Sequence, residues 1–292
     1  LKVTNQDNLT NSTKIVNAMS VDVEDYFQVS AFERYIQRKD WETIPTRVEQ
    51  NVDKLLSIFS DNNVKATFFI LGWIAERHPE MIKRIADDGH EVASHGYSHT
   101  RIVNLSKDQF REDIMKTNGI LGELANKNIT GYRAPSYSIS LNNLWAHDIL
   151  EECGFKYSSS IYPIKHDIYG IPGSPRFSYR VASGNLLEIP ISTLKIFNRI
   201  IPCGGGGYFR FYPYLLSRYM INRLNISEKQ PCIFYFHPWE IDIEQPRQTG
   251  LDLKTSFRHY LNIDRMESRL RSLLRDFSWG RIDRIFSEHI TE

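Results

Sequence analysis

The residues best suited to chemistry in this chain are two histidines four apart, in His95-Gly-Tyr-Ser-His99, directly after Asp88-Gly-His-Glu-Val-Ala-Ser94. Two imidazoles at that spacing can turn toward one point, as metal ligands must. Spacing alone is weak evidence. Nine histidines in 292 residues give about 0.3 such pairs by chance. The context strengthens it, because an apolar run feeds the pair and carboxylates end another such run far upstream, in Asp22-Val-Glu24-Asp25. One carboxylate would complete a His/His/carboxylate site, and a second would take a proton from an attacking water. Asp22 and Glu24 share one face of an extended strand, whereas Asp25 points away unless the chain has already turned.

Two further pieces belong with these. Arg133, in Tyr132-Arg-Ala-Pro-Ser-Tyr137, can hold a carboxylate ionised and oriented through charge-assisted hydrogen bonds. His237, in Phe236-His-Pro-Trp-Glu240, ends another apolar run and can serve as a general acid near neutral pH. The glycine run Gly204–Gly207 lacks the Lys-Ser/Thr of a phosphate loop, so a flexible loop or close backbone packing is the better expectation.

Short apolar runs alternate with helical periodicity along the chain, and these elements must position the pieces. Strands are expected at 15–23, 64–71, 91–94, 129–133, 155–160, 186–191 and 232–236. Helices are expected at 46–60, at 79–88 with Pro79 in its first turn, from the Ser106/Gln109 capping box to about residue 124, from 141 to 153, and around Met266–Leu274. No Gly/Pro-rich linker interrupts this alternation, which argues for one α/β domain with a parallel sheet. The polar motifs follow the strands, where a barrel or open α/β sheet places its chemistry. Residues 161–213 read as a long ordered loop excursion.

A formal net charge of +1 gives no field for nucleic acid or an anionic surface. The three cysteines, Cys153, Cys203 and Cys232, form no C-x-x-C pair, which excludes a thiolate zinc site or disulfide framework as an expectation. No apolar run reaches transmembrane length, and residues 1–14 read as a polar tail without a signal-peptide core. The expected compartment is the cytoplasm; oligomeric state is not legible.

The four pieces, in this order, resemble the polysaccharide deacetylase family, carbohydrate esterase family 4, over about 15–239. The stretches SVDVEDYFQVSAFE (20–33) and GGGGYFR (204–210), with the tail from Arg258, are similar to a branch associated with exosortase and exopolysaccharide clusters. The resemblance implies a deformed (β/α) barrel over 15–240, with 241–292 as a helical extension packed on it. It also implies a divalent metal, most simply zinc, held by His95, His99 and either Glu24 or Asp25. Asp22 would be the general base, Arg133 its support and His237 the general acid. Pro135, Tyr137 and Trp239 would line the substrate, with the backbone near Tyr137 holding the oxyanion. The implied activity is removal of N-acetyl groups from amino sugars of a bacterial polysaccharide or oligosaccharide. The rivals are a metal-free hydrolase of cyclic amides or imides and a non-catalytic polysaccharide-binding protein on the same fold.

Two departures from the family pattern bear on these roles. Val23 replaces the second of two adjacent aspartates, which leaves the carboxylate ligand open. Tyr157-Ser-Ser-Ser160 stands where an aspartate normally tunes the acid histidine. A histidine without that neighbour is expected to titrate near about 6.5 or below, unless Asp167 or Asp242 supplies the charge.

Overall fold

The computed structural model describes residues 15–167, 169–181 and 184–290. The tail expected at 1–14 lies outside the described residues. A curled sheet forms the centre, with strand order β10-β1-β2-β3-β4-β5-β7-β6. Its strands are β1 (Val16–Val23), β2 (Thr67–Ile70), β3 (Glu91–Ser94), β4 (Gly131–Tyr132), β5 (Tyr157–Ser158), β6 (Tyr179–Arg180), β7 (Leu187–Glu188) and β10 (Ile233–Phe236). All neighbouring pairs are parallel except β6 with β7. Past β7 the chain reaches the other edge: Ser192 donates its backbone N–H to the Ile233 carbonyl, and the Gly204 carbonyl accepts from Tyr235 at 2.8 Å. The sheet thereby bends into a deformed α/β barrel, as the sequence resemblance implies.

Helices α1 (Val48–Asp61), α2 (Gly72–Arg77), α3 (Pro79–Asp87), α4 (Lys107–Ala125) and α5 (Trp145–Glu152) alternate with these strands. Each long helix buries an apolar stripe, as in α1, where Val48, Val52, Leu55, Leu56 and Phe59 enter the main core. The Ser106 capping box forms as expected: Ser106 Oγ accepts from the Gln109 N–H, and Gln109 Oε1 accepts from the Ser106 N–H at 2.9 Å. Helix α2 has no counterpart in the sequence reading, because residues 72–77 are too few to display a period.

Two expectations about the second half change. Residues 161–213 carry β6 and β7, an antiparallel hairpin of β8 (Thr193–Ile196) with β9 (Arg199–Pro202), and α6 (Gly206–Phe211), so the segment is more than a loop. Nor are residues 241–292 simply a helical extension. After α7 (Tyr214–Asn222), α8 (Leu253–Tyr260) and α9 (Ile263–Asp276), strand β11 (Ser278–Gly280) pairs in parallel with Val16–Ala18 of β1. The Ile282 N–H, at the start of α10 (Ile282–Ile285), then donates to Thr67 Oγ1 on β2. The C-terminal segment therefore completes the central sheet, which only a long-range pairing could reveal.

Among the described residues, no helix is long and apolar enough to cross a membrane.

Candidate active and metal site

The carboxyl ends of the parallel strands repeat one local step. The first residue past a strand donates its N–H to a carbonyl at the end of the preceding strand: His95 to Ile70, Arg133 to Ser94, and Ser159 to Tyr132, all at 2.9–3.0 Å. Strand pairing thus brings residues from distant parts of the sequence to one rim. Asp22 and Glu24 from β1 and His237 from β10 stand beside them.

Glu24 is the hub. Its Oε1 lies 3.6 Å from His95 Nε2, 3.2 Å from His99 Nε2 and 3.3 Å from His237 Nε2, with every group buried or nearly so. Burial raises a carboxyl pKa, yet the charges of His99 and His237 outweigh it and hold Glu24 well below the ordinary value. Asp25 does not join this group. Its carboxylate faces the start of α1, where it accepts from the backbone N–H groups of Arg47 and Val48, while its other oxygen accepts from Tyr26. Burial lifts its pKa to about 6 against those three donors. This turn of the chain places Glu24, and not Asp25, beside the two histidines.

Glu24, His95 and His99 offer one ligand atom each within 4.8 Å of one another. The bonding pattern suits a cation. His95 Nδ1 bonds to the Arg133 carbonyl at 2.8 Å, which requires that nitrogen to donate and leaves the Nε2 lone pair facing Glu24. His95 Nε2, both ring nitrogens of His99 and Glu24 Oε2 are buried without hydrogen-bond partners. Orphaned buried acceptors cost about 1–3 kcal/mol each. Two nitrogens and a carboxylate oxygen are donors suited to zinc and related divalent ions.

Beside this trio, Arg133 is fully buried, and its guanidinium makes four hydrogen bonds. Nη1 donates to Asp22 Oδ1 at 2.6 Å and to Ser20 Oγ at 2.8 Å; Nε and Nη2 donate to the Ser159 carbonyl and hydroxyl. The serines of the divergent fourth motif therefore hold Arg133, and Ser160 Oγ takes the Ala134 N–H. Pro135 is buried in the turn that follows. Tyr137 turns its hydroxyl toward Asp22 Oδ2 at 3.5 Å. Its own backbone N–H donates to the Ala134 carbonyl at 3.0 Å, within the turn.

His237 also differs from expectation. Neither Asp167 nor Asp242 touches it: Asp167 pairs with Lys254 and Arg258, and Asp242 with Arg47 and Asn51. Its Nδ1 instead meets Glu240 Oε1 at 2.9 Å. Burial pushes the imidazole pKa down, but Glu24 and Glu240 together push it up to about 10. Trp239 packs near-parallel to His237 and to His259, at 5.2 and 4.2 Å between centroids. The Trp239 indole Nε1–H is buried and unpartnered. A cleft of about 200 Å³, lined by Phe27, Gln28, Ile36, Arg38 and Trp41, borders His99. Sequence reasoning missed Glu240 and Arg210 as site residues, although the first stands three positions after His237 and the second follows the glycine run.

Fold and site together define a class: α/β barrel proteins with a His/His/carboxylate cluster and an arginine-held aspartate at the carboxyl ends of their strands. Residues 41–158 match the polysaccharide deacetylase family, and residues 159–287 match a domain of unknown function, DUF3473. That first match makes this part of the chain similar to the polysaccharide deacetylases. It is 43% identical over 94 residues to a peptidoglycan-N-acetylglucosamine deacetylase of Bacillus cereus, covering 32% of this chain and 34% of the relative. It is 34% identical over 113 residues to a peptidoglycan deacetylase of Helicobacter pylori, covering 39% and 38%. The chain therefore spans little more than a third of the length of these curated relatives. A crystal structure from Mycobacterium smegmatis, provisionally classed as a polysaccharide deacetylase, superposes with a TM-score of 0.60 at 21% identity, covering 96% of this chain and 94% of the other. That likeness establishes the fold.

Proposed function

We propose that the protein is a metal-dependent deacetylase that removes N-acetyl groups from the amino sugars of a bacterial exopolysaccharide. One observation carries the reading: an arginine-held aspartate and a carboxylate-paired histidine flank the Glu24/His95/His99 cluster in one pocket. A divalent metal held by those three residues, most simply zinc, would supply Lewis acidity toward the acetyl carbonyl. Arg133 orients Asp22 through the bond from its Nη1 to Oδ1, so Asp22 can take the proton of the attacking water. His237, cationic between Glu24 and Glu240, gives its proton to the departing amine through Nε2, without which expulsion of an amide nitrogen is slow. The near-complete burial of these groups excludes bulk water and strengthens their mutual electrostatics.

The sequence matches to deacetylases of peptidoglycan support an N-acetylated amino sugar as substrate. The rival metal-free reading would leave the orphaned nitrogens of His95 and His99 buried to no purpose. The decisive experiment is acetate release from N-acetylglucosamine oligomers by the purified protein, with and without chelator. Release that chelator abolishes and added zinc restores is expected; absence of release from any N-acetylated glycan would overturn the reading.

A further inference from the structure

We infer that Glu240, locked in place by Arg210, is the positioning residue that fixes the tautomer and orientation of His237. It takes the place of the fourth-motif aspartate that this chain lacks. The inference rests on the deacetylase reading for its kinetic arm and on geometry alone for its spectroscopic arm.

The carboxylate of Glu240 is almost wholly buried and fully engaged. Oε1 accepts from the backbone N–H of His237 at 3.0 Å and meets His237 Nδ1 at 2.9 Å. Oε2 accepts from Arg210 Nε at 2.7 Å. Arg210 is itself held on several sides, since Nη1 donates to the carbonyls of His259 and Leu261, and Nη2 donates to that of Arg258. A guanidinium with those four bonds holds the carboxylate in one rotamer. Because a carboxylate can only accept, Nδ1 must carry a proton, which leaves Nε2 as the nitrogen that faces Glu24 and exchanges its proton. The same division of labour orients the histidine of hydrolytic triads.

The glycine run explains how the carboxylate fits. A Cβ on Gly206 would lie 2.3 Å from Glu240 Oε1 and 2.6 Å from Oε2, so any side chain there would displace it. Trp239, parallel to the imidazole, restrains the remaining rotation. The serines at 158–160 serve Arg133, Ala134 and one another, and no carboxylate of the described residues other than Glu24 and Glu240 pairs with His237.

Glu240→Gln keeps the shape and removes one acceptor. If the amide oxygen stays on Arg210 Nε, the amide N–H faces Nδ1 and favours the opposite tautomer. Two measurements test the role. The first compares acetate release from N-acetylglucosamine oligomers with hydrolysis of 4-nitrophenyl acetate, whose leaving group needs no proton. The ratio of amide to ester turnover should fall about 100-fold in Glu240→Gln, through kcat rather than KM, with recovery in Glu240→Asp. Gly206→Ala, which changes neither Arg210 nor Glu240 but displaces the carboxylate, should lower the same ratio. Equal losses on both substrates, or no loss on the amide, would overturn the inference.

The second measurement is long-range proton–nitrogen NMR of the imidazoles, with His237 assigned by substitution, which needs no activity. In the wild type Nδ1 of His237 should carry a proton with the downfield shift of a bond to a carboxylate, and that shift should be lost in Glu240→Gln. An unprotonated Nδ1 in the wild type refutes the positioning role even if the protein proves to be a deacetylase. A wild type that releases no acetate yet shows the protonated Nδ1 refutes the proposed activity alone.

Discussion

Arg133 Nη1 and Asp22 Oδ1 lie 2.6 Å apart, in a pair that is 0% and 2% exposed. Residues 111 positions apart are joined here because β4 and β1 end on the same rim. Neither charge has water to turn to, so each depends on the other. Removing one partner is far costlier than the pair's net contribution.

Asp22→Asn should therefore separate catalysis from metal binding. An amide cannot accept a proton from water, so turnover should fall at least about a thousandfold. Metal stoichiometry by elemental analysis should stay at the wild-type value, because Asp22 is absent from the Glu24/His95/His99 cluster. Loss of metal in Asp22→Asn would show that it is a ligand.

Arg133→Met should cost about 3–5 kcal/mol of stability, measured by urea unfolding, because the Asp22 carboxylate is left buried and unpaired. The double variant Asp22→Asn/Arg133→Met should recover part of that loss. A single-variant loss below about 1 kcal/mol would mean that solvent reaches the pair.

The two carboxylates after β1 should behave oppositely. Glu24→Gln, like His95→Ala or His99→Ala, should deplete bound metal. Asp25→Ala should retain it while losing about 1–3 kcal/mol, since three backbone donors of Tyr26, Arg47 and Val48 lose their acceptor. Metal loss on changing Asp25 alone would contradict the placement of these side chains.

In chelator-treated protein, His237 should remain cationic well above neutrality. Its pKa lies at about 10 in the folded state, pushed down by burial and more strongly up by Glu24 and Glu240. A raised folded pKa means that its share of stability is fully present below about 6.5 and is lost as pH rises through 10. The ring proton resonances of His237 should not titrate between pH 6 and 8; a midpoint near 6.5 would count against the ion pairs.

His90 should act in the reverse sense. Its Nδ1 accepts the Ala66 N–H at 3.0 Å, and burial first, then Lys65, lowers its pKa to about 4. The unfolded chain takes up a proton near 6.5 that the folded one refuses until 4, so stability should decline as pH falls across that interval. The slope approaches about 1.4 kcal/mol per pH unit for one group. His90→Gln should flatten the dependence of unfolding free energy on pH; an unchanged slope would assign acid sensitivity elsewhere.

Periodicity and motif order made much of this protein readable in advance. Alternation of apolar runs with amphipathic stretches announced the parallel sheet, because strand and helix periods are local properties of the chain. His95, His99, Arg133 and His237 each follow an apolar run, and strand ends are where such a sheet gathers its polar groups. Those signals need no knowledge of what packs against what.

Tertiary structure decided the rest, wherever a side chain had to choose between partners distant in sequence. Glu24 rather than Asp25 joins the histidines because the chain turns after Val23 and hands Asp25 to the backbone at the start of α1. Strand β11 joins β1 across some 260 positions, a pairing with no local signature. Glu240 stands three positions after His237 in sequence, yet its role depends on Arg210 from another element and on space left by Gly206. Sequence carried the inventory of reactive groups, since side-chain chemistry is local. Which group serves which was set by packing, because a buried charge keeps its ionisation only where a partner from elsewhere in the fold meets it.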